Sequence, residues 1–141
     1  PAHGGTLVDR LLRGSLREAA LERARSMPKV FLTPRGVSDL ELVAVGAFSP
    51  LTGFMGSDVY RTVLDDMRLP NGLAWTFPVT LAVPKEEAVQ LKVGQELALV
   101  ERTAGGDESI MGILHHATNE RADFRRRCHR QTGFGDQHLC P

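Results

Sequence analysis

Hydrophobic positions change their spacing part-way along the chain, and that change divides it into a helical first half and a strand-rich second half. Leu16, Ala20, Ala24 and Met27 recur at helical spacing, and Pro28 stops the run. Ser15-x-x-Glu18 ahead of them has the form of a capping box, in which each side chain satisfies the other's free backbone donor. Lys29 to Leu32 fits a short strand. Ser38-x-x-Glu41 repeats the capping pattern and predicts a short helix that buries Leu42 and Val45 and ends at Gly46. A third helix is expected from Ser57, with Val59, Val63 and Met67 on one side and Tyr60 and Leu64 beside them. Leu69-Pro70-Asn71-Gly72 then turns the chain.

From residue 75 the period is two. Trp75, Phe77, Val79, Leu81 and Val83 alternate with Thr76, Pro78, Thr80 and Ala82, which predicts a half-buried strand at an edge or a bulge because Pro78 cannot donate to a ladder. Pro84 to Leu91 predicts one or two helical turns. Val93-Gly94 leads into a strand over Glu96 to Glu101, Ala104 to Asp107 forms a loop, and Ile110 to His115 is the return strand. Helices followed by strands on short turns give an α+β fold whose second half is a small antiparallel barrel or sheet.

Composition supports one core and a tail. The 141 residues suit a single domain, and 42% apolar with 24% charged residues is the balance of a globular chain. Residues 117–141 hold only seven apolar positions in 25, with five Arg and two His. The core is therefore assigned to residues 1–116, and 117–141 is expected to be a divergent, poorly ordered Arg- and His-rich tail. Seventeen basic residues balance seventeen acidic ones, which argues against non-specific nucleic-acid binding. No apolar run is long enough to span a bilayer, no signal peptide opens the chain, and two cysteines are too few for a disulfide-built scaffold. A cytoplasmic setting without membrane association is expected.

Most motifs with chemical potential have a plainer explanation. Gly4-Gly5 lacks the strand, helix and Lys of a phosphate loop and fits a turn, and Gly133-x-Gly135 lacks the rest of a dinucleotide fingerprint. Asp65 and Asp66 point about 100° apart on a helix, which suits a solvated surface. His115 and His116 face opposite sides of a strand. Cys128, His129, His138 and Cys140 mix ligand types that suit zinc, but the paired spacing of a zinc finger is missing, so no metal site is assigned. Arg125 to Arg127 with Arg130 fit a solvated tail, with an RNA or phosphate contact as the alternative.

The stretch Gly46-Ala47-Phe48-Ser49-Pro50-Leu51-Thr52-Gly53-Phe54-Met55 is different. Aromatic and aliphatic residues crowd into a segment broken by Pro50 and two glycines, with no charge anywhere. Such a loop is expected to pack within the domain, against a neighbouring domain, or both. Phe48, Ser49, Pro50, Leu51, Thr52, Gly53 and Phe54 are accordingly assigned a structural or interdomain role, not substrate contact, because none can move a proton or hold a phosphate.

Residues Ser38 to Met55 as a block resemble the signature of the N-terminal domain of the ATP sulfurylases, the sulfate adenylyltransferases. His3 to Val8, Met67 to Trp75, Phe77 to Leu81, Leu91 to Val100 and Gly112 to Leu114 follow in the same order. The resemblance covers residues 3–114 and implies a PUA-like pseudo-β-barrel with N-terminal helices. It also implies an enzyme that transfers the adenylyl group of ATP, with Mg²⁺, to sulfate, giving adenosine 5'-phosphosulfate and pyrophosphate. Catalysis in that family rests on a Gln-x-Arg-Asn and a His-x-x-His motif in a central domain, and neither occurs in this chain. No catalytic or substrate-binding residue and no cofactor is assigned here. The expected partner is the catalytic domain, with a homo-oligomer possible at family level. The loss of family character after His115 fits a truncated or frameshifted reading frame. The alternative function is a stand-alone RNA-binding or interaction module of the PUA-like type, which the zero net charge disfavours.

Overall fold

The computed structural model describes residues 1–115. Helix α1 (Gly14–Ala24) leads into strand β1 (Lys29–Phe31), followed by α2 (Pro34–Ala44), α3 (Ser57–Asp66), the single turn α4 (Lys85–Ala88), β2 (Glu96–Arg102) and β3 (Glu108–His115). The three strands form one sheet in the order β1-β2-β3. β2 and β3 are an antiparallel hairpin closed by the Gly105-Gly106 loop, with the register shifted between Leu99 and Val100. β1 pairs with β2 in parallel, Lys29 opposite Ala98 and Phe31 opposite Val100. The expected α+β class stands, and the second-half strands β2 and β3 pair antiparallel as expected, while β1 from the first half adds a parallel neighbour. β1 comes from the helical half and reaches β2 only after some 65 intervening residues, which is the long crossover a parallel pair requires.

β2 is the centre of the molecule. Leu97, Ala98, Leu99 and Val100 are each almost fully buried, so both faces of the strand are covered. Ala98 and Val100 meet Ala24 of α1, with Met27, Phe31, Ile110 and Ile113 around them. Leu97 and Leu99 face the other way, onto Val30, Leu40, Phe54, Leu81, Val83 and Leu91. A second core of Val43, Leu51, Val63, Leu69, Trp75 and Val79 joins α2 and α3 to the loop between them and to the segment that follows α3.

Helix boundaries depart from the capping patterns. α2 begins at Pro34, not Ser38: Thr33 Oγ1 accepts the Gly36 N–H at 3.1 Å, and Pro34 occupies the first helical position, where its missing donor costs nothing. Ser38 is then interior and donates to the Pro34 carbonyl at 3.3 Å. In this helix Val43 is buried while Leu42 and Val45, expected to be buried, are 38% and 51% exposed. α1 starts at Gly14 without a side-chain cap, which leaves the Ser15–Glu18 box unformed. Its Leu16 is 69% exposed, and Ala24, in its last turn, is its buried residue. α3 buries Tyr60 and Val63 as expected but ends at Asp66, and Met67 caps it in the left-handed region, exposed to solvent.

Residues 75–83 form no strand. Trp75 and Val79 are buried and Leu81 and Val83 half-buried, so the predicted alternation of side chains largely holds. Phe77 breaks it at 44% exposed, and the stretch has no ladder with β1, β2 or β3.

Candidate functional site

The segment Gly46 to Met55 folds into the second core and also serves as the seat for the N-terminal arm. Gly46 ends the turn after α2 with φ 80°. A Cβ at this glycine would lie 2.7 Å from Leu7 Cδ1 and 2.9 Å from the Val8 carbonyl, so glycine is required both for the conformation and for the approach of the arm. Ser49, 1% exposed, is the hinge pin of the contact. Its hydroxyl donates to the Gly46 carbonyl at 2.6 Å and accepts the Val8 N–H at 2.9 Å, so one buried oxygen satisfies the turn and the arm together. Two residues on, the Arg10 N–H donates to the Ala44 carbonyl at 2.9 Å.

Aromatic side chains extend the seat. Phe48 meets Trp75 and Phe77 edge-on, with ring centroids 5.9 and 5.6 Å apart. Trp75 Nε1 donates to the Phe77 carbonyl at 2.7 Å. His3 stands 5.9 Å from the Trp75 ring and its Nε2 donates to the Ala74 carbonyl at 2.8 Å, which ties the start of the arm to the same cluster. Gly4 and Gly5 form the turn that their sequence suggests, the Gly5 N–H donating to the Ala2 carbonyl. Leu51 is buried, and Phe54 bridges the second core and the Leu97–Leu99 face of the sheet. The Ser49–Pro50 peptide is cis. Thr52 is exposed and Gly53 half-buried at the outer bend.

Charge lies elsewhere. Glu108 at the start of β3 receives Lys29 on one carboxylate oxygen and Arg102 at 2.9 Å on the other. Hydrogen bonds from Lys29, then Arg102, hold its carboxyl below the usual range. The Arg102 guanidinium also stacks 3.9 Å over the Phe31 ring. Asp9 in the arm is likewise lowered, first by the Leu11 N–H and then by Arg13. Among the described residues no group of three or more His, Cys, Asp and Glu side chains converges on a metal position. Cys128, His129, His138 and Cys140 lie outside the described residues, as do His116 and the Arg125–Arg130 run. Asp65 and Asp66 are exposed at the end of α3.

Spacing and composition had singled out the loop but missed Ser49 as its buried polar centre and the arm as its ligand. A serine between two apolar neighbours in an uncharged loop is the one available signal, since a buried hydroxyl must find partners. Nothing local says that a partner would be Val8, 41 residues earlier.

The family model described as PUA-like domain matches residues 1–138. This chain belongs to the PUA-like domain family. The match runs past residue 114, where the motif resemblance ends. The chain is 48% identical over 130 residues to a sulfate adenylyltransferase of Symbiobacterium thermophilum, covering 92% of this chain and 33% of that protein. It is 50% identical over 99 residues to the sulfate adenylyltransferase of Trichodesmium erythraeum, covering 70% of this chain and 26% of the relative. A probable bifunctional SAT/APS kinase of Sorangium cellulosum is 48% identical over 112 residues, 79% of this chain and 19% of the relative. Among solved structures, the hexameric APS kinase from Thiobacillus denitrificans superposes with a TM-score of 0.68 at 33% identity, over 81% of this chain and 22% of that one. The PUA-like chain thus spans a third or less of each of these relatives.

Proposed function

We propose that this PUA-like chain is the non-catalytic N-terminal part of a sulfate adenylyltransferase, the enzyme that joins ATP and sulfate into adenosine 5'-phosphosulfate with release of pyrophosphate. The observation that carries this is the 48% identity over 92% of the chain to a sulfate adenylyltransferase three times as long. The loop Phe48 to Phe54 and the arm it holds then have a scaffolding role. Sulfate is a weak nucleophile and both reactants are anions, so the reaction needs cationic groups and fixed donors around the phosphates. The Gly46–Met55 segment is uncharged, and its buried hydroxyl is already engaged at both ends. ATP with Mg²⁺ and sulfate would be bound by the catalytic region, which is the partner this reading requires.

Other consequences follow from the same assignment. The setting is cytoplasmic, and no helix among the described residues is long and apolar enough to cross a membrane. Assembly into a homo-oligomer is in keeping with the hexameric state in the name of the structural neighbour. The chain should be co-expressed with the part of the Symbiobacterium thermophilum enzyme that lies beyond the match, in a host lacking its own sulfurylase. Sulfate-dependent pyrophosphate release by the pair, well above either piece alone, is the expected result. A pair as inactive as its parts, or a catalytic piece fully active without this chain, would overturn the assignment.

A further inference from the structure

Leu69-Pro70-Asn71-Gly72, which the proposed function leaves unused, makes a tight turn after α3. The Gly72 N–H donates to the Leu69 carbonyl at 2.8 Å, and the Leu69 N–H donates to the Leu73 carbonyl at 2.9 Å. Asn71 Oδ1 accepts the Leu73 N–H at 3.0 Å, and Arg68 Nη1 donates to the Gly72 carbonyl at 2.9 Å. Beyond them Arg68 bridges to Ala74, and the Trp75 N–H donates to the Met67 carbonyl at 2.8 Å. The turn thus ties together Leu69 and Trp75, both buried in the second core. Its tip faces water. Asn71 and Gly72 are exposed, Gly72 holds φ 84°, and a Cβ there would meet nothing within 4 Å.

An asparagine amide is open to attack by the backbone nitrogen of the next residue, most of all where that residue is glycine and has no Cβ to screen the nitrogen. The chain has asparagine at 71 and 119, and only Asn71 precedes a glycine, Asn119 being followed by Glu120. We propose that Asn71 is a site of spontaneous covalent modification whose rate is set by the hydrogen bonds of its own turn. The Gly72 nitrogen gives its proton to solvent and bonds Asn71 Cγ. The Cγ–Nδ2 bond breaks, ammonia leaves, and a cyclic imide closes. Water then opens the ring at either carbonyl. Opening at Cγ leaves aspartate. Opening at the backbone carbonyl leaves isoaspartate, whose main chain runs through Cβ and Cγ and is longer by one carbon. In the closed turn the Gly72 N–H is held by Leu69 and Asn71 Oδ1 by Leu73, so attack on Cγ requires both bonds to open. Aspartate keeps an oxygen for the Leu73 N–H. Isoaspartate places its extra carbon inside the loop that the Leu69 N–H to Leu73 carbonyl bond closes, so that bond and the hold on Leu69 loosen.

The test keeps the whole chain warm at mildly alkaline pH, folded and in concentrated urea, and follows its peptides by mass spectrometry together with an enzymatic assay for isoaspartate. Conversion should concentrate at Asn71, spare Asn119, and run at least about tenfold faster in urea than in the folded chain. The isoaspartate form, separated from the aged folded sample, should exchange its Leu69 amide at least about tenfold faster than the parent by NMR. The aspartate product, covalently identical to Asn71→Asp, should match the parent at that amide. Conversion at Asn119 as fast as at Asn71 in urea overturns the assignment of the site. Equal rates at Asn71 in the folded chain and in urea overturn the control by the turn. An isoaspartate form whose Leu69 amide exchanges at the parent's rate overturns the effect on the second core.

Discussion

Residues 96–102 and 75–83 are both rich in apolar side chains, yet one is the central strand and the other joins no ladder, its backbone tied to Met67 at Trp75 and to Met55 at Val79. β2 has hydrogen-bonded neighbours on each edge and side chains buried on each face. The 75–83 segment has Trp75 and Val79 in the core, Leu81 and Val83 half-buried and Phe77 exposed, without a ladder. The difference teaches that side-chain period reports which way a chain faces its core, whereas pairing depends on what else arrives alongside. For β2 the partners are in this chain.

The comparison can be broken by truncation. Leu99→Ala removes a fully buried side chain clustered with Val30, Leu40 and Leu91 and should cost about 2–5 kcal/mol, read by chemical denaturation, with Leu81→Ala costing about 1 kcal/mol because it is only half-buried. Equal losses at the two positions would mean that the 75–83 segment is as much a part of the core as β2. The relatively secure position of Leu99 was legible from the sequence, where Glu96 to Glu101 stands between two turn signals. The missing ladder was not, because period two is the same for a paired and an unpaired extended chain; Pro78 was the only hint.

A smaller effect distinguishes the loop from the sheet. Ser49→Ala leaves the Val8 N–H and the Gly46 carbonyl without their shared partner and should cost about 1–3 kcal/mol. Proteolysis within residues 1–12 should speed up in that variant while amide protection in β2 and β3 is unchanged. Protection lost throughout the sheet instead would show that the arm and the hairpin unfold together. The hydrophobic crowding of Phe48 to Met55 was visible in the sequence and its packing follows from it. The hydroxyl's two partners were not visible, since both the turn carbonyl and the arm N–H are brought to Ser49 by the fold. Helix starts failed for a related reason: Ser38-x-x-Glu41 has the letters of a cap, but Thr33 followed by Pro34 offers a better one.

The smallest effect is acid sensitivity at the sheet edge. Lys29 and Arg102 lower the Glu108 pKa below its ordinary 4.5, so the folded state holds the charged form more firmly than the unfolded chain does. That contribution is complete above the unfolded pKa and disappears as pH falls through the lowered folded value. Denaturation midpoints of Glu108→Gln should therefore lie below those of the parent at pH 7 and converge with them in strong acid. A constant gap across that range would assign the effect to packing and not to charge.

The central claim is that this PUA-like chain is the scaffold of an adenylyl-transfer enzyme and does no chemistry by itself. It is tested most directly by incubating the purified chain, prepared from a host lacking sulfurylase, with ATP, Mg²⁺ and sulfate and measuring pyrophosphate. The account predicts no release above the sulfate-free control. Release that rises with sulfate and yields adenosine 5'-phosphosulfate would contradict it.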